Sequence, residues 1–116
     1  MDKYGFTSIE RLQHIVEAIE KIQSYCKGVG QKKFLEDDLI NGSVLYQFIV
    51  IGEAIKYVDH EILERHPYSW HLPRSFRNYI AHEYFGINMK QVYKTAKEIL
   101  PEFKNFIKEI IIQETK

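Results

Sequence analysis

The chain has 116 residues, 45% of them hydrophobic, with 16 basic and 16 acidic side chains that sum to zero. That is enough apolar material for one core and too much for a disordered chain. The neutral balance excludes a protein that coats nucleic acid through bulk charge.

Helical periodicity runs nearly throughout. Thr7-Ser8-Ile9-Glu10 has the form of a capping box, a threonine followed three residues later by an acid. Ile9, Leu12, Val16, Ile19 and Cys26, supported by Ile15 and Ile22, then predict one apolar stripe on a first helix that Gly28 and Gly30 stop. Residues 31–42 read as a polar connection holding at most a short helical turn, with Asp37, Asp38, Asn41 and Ser43 all plausible caps. Val44, Phe48, Ile51, Ile55, Val58 and Ile62 mark a long second helix that Pro67 should stop near His66. A third helix is expected to start near Pro73, whose missing N–H costs nothing in a first turn, and to run out by Gly86. Asn88 with Gln91 resembles another capping pair, opening a last helix over roughly 89–114 with Val92, Ala96, Ile99, Phe103, Phe106 and Ile110 facing inward, which Pro101 should kink or split. Strand alternation, internal repeats and an interdomain linker are not discernible. The expected fold is all-α: residues 1–116 as a single domain, an up-and-down bundle of four to five helices.

Sixteen of the 116 residues are aromatic, more than so slim a core can hide, which points to a partner surface and most simply to a symmetric homodimer. Met1-Asp2-Lys3-Tyr4 shows no signal-peptide pattern, and apolar runs such as Phe48-Ile49-Val50-Ile51 fall far short of a membrane span. The lone Cys26 has no intramolecular partner and fits a reducing compartment. These features predict a cytoplasmic protein with no membrane contact.

Charge is uneven along the chain. Between Trp70 and Lys97 the cations are Arg74, Arg77, Lys90, Lys94 and Lys97 and the one acid is Glu83, which makes 5 − 1 = +4. Within that stretch lies Arg77-Asn78-Tyr79-Ile80-Ala81-His82-Glu83-Tyr84. Arginine grips a phosphate through paired hydrogen bonds, and histidine both gives and takes protons near neutral pH. Metal patterns are absent. No glutamate has a histidine three residues later, and His82-Glu83 does not extend to a zincin motif because Gly86 takes the second histidine position. His60, Glu61, Glu64 and His66 match no metal spacing and read as exposed polar residues.

The ordered pattern resembles the HepT-like branch of the HEPN superfamily, whose marker is R-N-x-x-x-H-x-Y. Arg77-Asn78, His82 and Tyr84 fit it without a gap. Ile51-Gly52-Glu53-Ala54, Trp70, Gly86-Ile87-Asn88 and Leu100-Pro101 match further family positions, in order. Pro73 departs from the ordinary helix former of the relatives, and Phe76 occupies a position where they vary. The resemblance implies a HEPN-like dimeric bundle and a metal-independent endoribonuclease toxin needing no cofactor, with tRNA or mRNA among the candidate substrates. It also implies a nucleotidyltransferase antitoxin that transfers AMP from ATP to the tyrosine matching Tyr84.

The chemistry is coherent with that reading. Cleavage by the 2′-OH needs a proton acceptor, a stabiliser for the phosphorane anion and a proton donor for the leaving oxygen. One copy of the motif carries one histidine, so Arg77 and His82 are the expected catalytic pair of a composite dimer site. At about 100° per residue these two point roughly 140° apart on a straight helix. Asn78, one turn before His82, would orient the imidazole or touch the RNA backbone, and Arg74 is a candidate RNA contact. Duller roles compete for each: a surface charge for Arg77 and Arg74, a structural group for His82, interface filling for Tyr84, and core packing for Trp70 and Phe76. Glu53 either pairs with a motif cation or lines the interface. The alternative function is a non-catalytic nucleotide- or substrate-binding subunit of a nucleotidyltransferase complex.

Overall fold

A computed structural model describes residues 1–83 and 85–116, and every regular element among them is helical. Helix α1 spans Ser8–Cys26 and α2 Gln31–Glu36; α3 spans Asp38–Lys56 and α4 His60–Arg65. Helix α5 covers His71–His82, α6 covers Met89–Lys94, and α7 covers Leu100–Glu114. A π-helical turn at Thr95–Ile99 joins α6 to α7, so the last helix is continuous from 89 to 114. The all-α bundle expected from periodicity is the observed architecture.

Local signals act as read. Thr7 and Glu10 close a reciprocal capping box at the head of α1. Gly28, at φ 70°, takes the left-handed position after the helix where a side chain would be strained. Asn88 accepts from the Gln91 N–H at the head of α6.

Two boundaries differ from the periodicity. The second long helix begins at Asp38, not Val44, because the Asp37 carboxylate caps the N–H groups of Leu39 and Ile40. The buried Asn41 then donates to the Phe34 carbonyl and ties α2 to α3. The same helix ends at Lys56 rather than near His66, and α4 is a separate short piece. Val58 keeps its apolar register and is buried. The ladder nevertheless breaks, and the Asp59 N–H is taken by the Ser8 hydroxyl, 51 residues away, at 2.9 Å. Apolar spacing does not encode a contact of that range.

The α-helical ladder is interrupted just before Pro101, as expected: a π-helical turn separates α6 from α7, and the proline sits in the first turn of α7. Leu100 N–H donates five residues back to Thr95 O in the widened turn just before it. That turn also absorbs the four-residue spacings Val92, Ala96, Leu100, so all three point inward, and Ile99, expected to face the core, is turned outward.

Helices α1 and α3 pack against each other, α5 lies on α3, and α7 lies on α1. By length and composition alone α3 could cross a membrane, but here it is the central core helix, burying Val44, Phe48, Ile51, Ala54 and Ile55. Helix α1 buries six residues, whereas α5 fully buries Ile80 alone. At about 1.5–3 kcal/mol per buried aliphatic side chain, α5 is the least firmly seated of the long helices. Between α5 and the last helix an apolar cleft of about 440 Å³ stays open, lined by Phe48, Tyr68, Leu72, Phe76, Ile99 and Phe103.

The C-terminal end is tied back by charge. Glu114 accepts from Arg65 at 2.6 Å and meets His66 at 2.7 Å. These partners hold its carboxyl down to about 2, against an ordinary 4.5. A depressed native pKa gives stabilisation that is complete above the unfolded value and fades as pH falls toward the native one. Glu114→Gln should therefore lower the urea midpoint at pH 7, and the gap from wild type should close between about pH 4.5 and 2. A gap unchanged at pH 2.5 would contradict the pairing.

Candidate functional site

The site is built on α5 and on the α3 face beneath it. Helix α5 approaches α3 at Gly52. A Cβ added there would collide with Cβ and Cγ of Arg77 and lie 3.0 Å from the Pro73 carbonyl. Only the missing side chain lets the Arg77 stem cross α3 at this point. The guanidinium is then fixed on two sides, with Nη2 2.8 Å from Glu53 Oε1 and Nη1 donating to Asn78 Oδ1 at 3.1 Å. Glu53, left open between two roles by the sequence, pairs with the motif cation.

The Arg77 and Glu53 side chains are 29% and 37% exposed, so solvent screens their pair and its worth is about 0–1 kcal/mol. Arg77 Nε is buried without a hydrogen-bond partner, which costs about 1–3 kcal/mol. The screened Glu53 pair does not offset that buried Nε.

His82 is the last residue of α5 and is exposed. Among the described residues no hydrogen bond or ion pair connects it to Arg77. Arg77 faces α3 while His82 stands at the helix end, in keeping with the divergence expected from helical geometry. Asn78 and Arg74 are exposed on the same helix, and the Asn78 amide oxygen serves Arg77 rather than His82. Tyr84 lies outside the described residues.

The aromatic residues near the motif take structural positions. Trp70 Nε1 donates to the carbonyls of His66 and Leu63, and the ring stacks on Phe106. Phe76 packs edge-on against Phe48. Tyr79, not singled out by sequence, fastens the loop after the motif: its hydroxyl accepts from Asn88 N–H at 2.8 Å and lies 3.4 Å from Gly86 O. His60 pairs with Glu64, and Cys26 is a buried core residue whose thiol burial pushes up. Among the described residues no three His, Cys, Asp or Glu side chains converge as a metal site would require.

Known proteins resemble this chain along most of its length. The profile described as "Ribonuclease HepT-like" matches residues 15–110. A protein of Caldanaerobacter subterraneus named a "Putative RNase" is 30% identical over 104 residues, covering 89% of this chain and 93% of that one. Another of that description from Methanocaldococcus jannaschii is 32% identical, covering 86% of this chain and 84% of its own. A "Probable ribonuclease HepT" of Thermococcus cleftensis is 32% identical over 94 residues, 80% of this chain and 86% of that protein. No solved structure gives a significant match. With a profile that spans the bundle from α1 to α7, the chain belongs to the HepT-like family of the HEPN superfamily.

Proposed function

We propose that this chain is a metal-independent endoribonuclease toxin that cuts RNA at a site shared by two copies. The observation that carries the reading is the divergence on α5: Arg77 is anchored on α3 by Glu53, while His82 is presented to solvent at the helix end. One copy supplies one imidazole and a guanidinium aimed elsewhere. A second copy related by a two-fold axis supplies the missing imidazole. The open apolar cleft beside α5 and the single buried residue of that helix support self-association along this side.

In the reaction, one His82 takes the proton of the 2′-OH as its oxygen attacks the adjacent phosphorus. The P–O5′ bond breaks, and the second His82 protonates the departing 5′-oxygen. Arg77 faces the charge that grows on the non-bridging oxygens, with Asn78 and Glu53 fixing its plane. Arg74, exposed one turn earlier, contacts the RNA backbone. The products carry a 2′,3′-cyclic phosphate and a 5′-hydroxyl.

Control follows from Tyr84. Its phenol attacks the α-phosphorus of ATP on a nucleotidyltransferase antitoxin, pyrophosphate leaves, and the attached AMP blocks the phosphate site by bulk and charge.

Wild-type protein incubated with tRNA and mRNA in EDTA should give cyclic-phosphate ends. Intact RNA throughout would favour the non-catalytic nucleotide-binding subunit instead. Mixed with ATP and a cognate nucleotidyltransferase, the chain should gain mass in AMP units, and Tyr84→Phe should abolish the gain. An unmodified wild type would remove the switch from this reading.

A further inference from the structure

A second cationic surface lies next to the motif, on the far side of Tyr79. Lys90, Lys94 and Lys97 line a cavity of about 340 Å³, with the amides of Gln31, Asn88 and Gln91 at its walls and Glu98 as its acid. The three lysines are spaced by about one helical turn each, a rise of about 4.5–6 Å. Like charges at this spacing are unfavourable in a helix of their own. Tyr93 donates to Val29 O at 2.8 Å and Lys97 Nζ to Cys26 O at 3.0 Å, which pins the α1–α2 turn against α6. Lys27 lies in that turn, and Lys32 and Lys33 follow in the first half of α2, all exposed. Segments 27–33 and 88–97 together hold six lysines and no acid, in a chain whose net charge is zero. Lys33 is engaged by Asp37 at 3.2 Å.

The cavity is coupled to the motif. Asn88, in its wall, bonds Tyr79 through its N–H, and Tyr79 is one turn before His82 on α5. The cavity therefore adjoins the segment that follows the motif helix.

We propose that this lysine ledge grips the phosphate backbone of RNA beyond the scissile nucleotides, so that the protein takes extended or folded RNA as substrate. Lysines provide compact, flexible point charges suited to backbone rather than to bases, and the amides add neutral donors for phosphate and sugar oxygens. The proposal rests on the ribonuclease reading, and its test separates the two.

Binding of fluorescein-labelled tRNA is measured from 50 to 200 mM salt in a His82→Ala background, so that the RNA stays whole. Lys90→Gln/Lys94→Gln/Lys97→Gln should weaken binding at least about tenfold and reduce the log–log salt slope by about 2, at roughly 0.7 per single-strand phosphate contact. Should loss of the Lys97 bond to Cys26 unfold that variant, Lys90→Gln/Lys94→Gln alone should reduce the slope by about 1.4. An unchanged slope in a folded variant overturns the proposal. So does a variant that keeps RNA affinity and loses instead a protein partner. If the protein with His82 intact cuts no RNA yet shows the lysine-dependent slope, the cleavage reading falls and the ledge stands. If it cuts RNA and the slope does not move, the ledge falls alone.

Discussion

His82→Ala is expected to lower RNA cleavage in EDTA by about 10²–10⁴-fold, the usual contribution of a positioned acid–base group. The same change should leave folding nearly untouched. His82 is exposed at the last position of α5, and truncating a surface side chain of that kind costs less than about 0.5 kcal/mol. Both halves matter. Loss of cleavage with an unchanged urea midpoint assigns the imidazole to chemistry, whereas cleavage that survives in the variant would remove His82 from the reaction. Under the composite reading the loss is severe because each dimer loses its proton acceptor and its proton donor together.

Gly52→Ala should damage both the fold and the site, although alanine is the better helix former by about 1 kcal/mol. The added methyl meets the Arg77 stem and, at 3.0 Å, a backbone carbonyl of α5 that cannot rotate away. Relief requires α5 to lift from α3. Overpacking of this kind costs about 1–3 kcal/mol, which exceeds the propensity gain over most of that range. Lifting α5 also draws Arg77 away from Glu53, so cleavage should fall even where the urea midpoint moves little. A Gly52→Ala protein with wild-type midpoint and wild-type cleavage would show that α5 does not depend on this close approach.

Much of this was legible in the residues themselves. Thr7 with Glu10, Gly28 and Asn88 act within one turn of chain, and each is found doing what its type and spacing suggest. The opposed directions of Arg77 and His82 follow from helical rotation alone. Features that depend on remote chain were not legible. The break after Lys56 goes with a contact from Ser8 to Asp59, and the choice between the two roles open to Glu53 rests on how closely α5 approaches α3 at a glycine. The +4 stretch was visible as a sum, but its gathering with the α1–α2 turn required Tyr93 and Lys97 to find carbonyls 64 and 71 residues away. The exposed lysines and the buried side chains of the last helix share no periodicity across its middle, and the π-helical turn is the reason.

That turn has a consequence for how the protein can vary. One supernumerary residue between Thr95 and Ile99 acts as a rotary joint, letting the half with the lysines and the half buried against α1 be indexed independently. Excising a single residue there would swing one half by about 100° relative to the other. The cations would turn off their cavity while Phe103, Ile107 and Ile110 kept their seats.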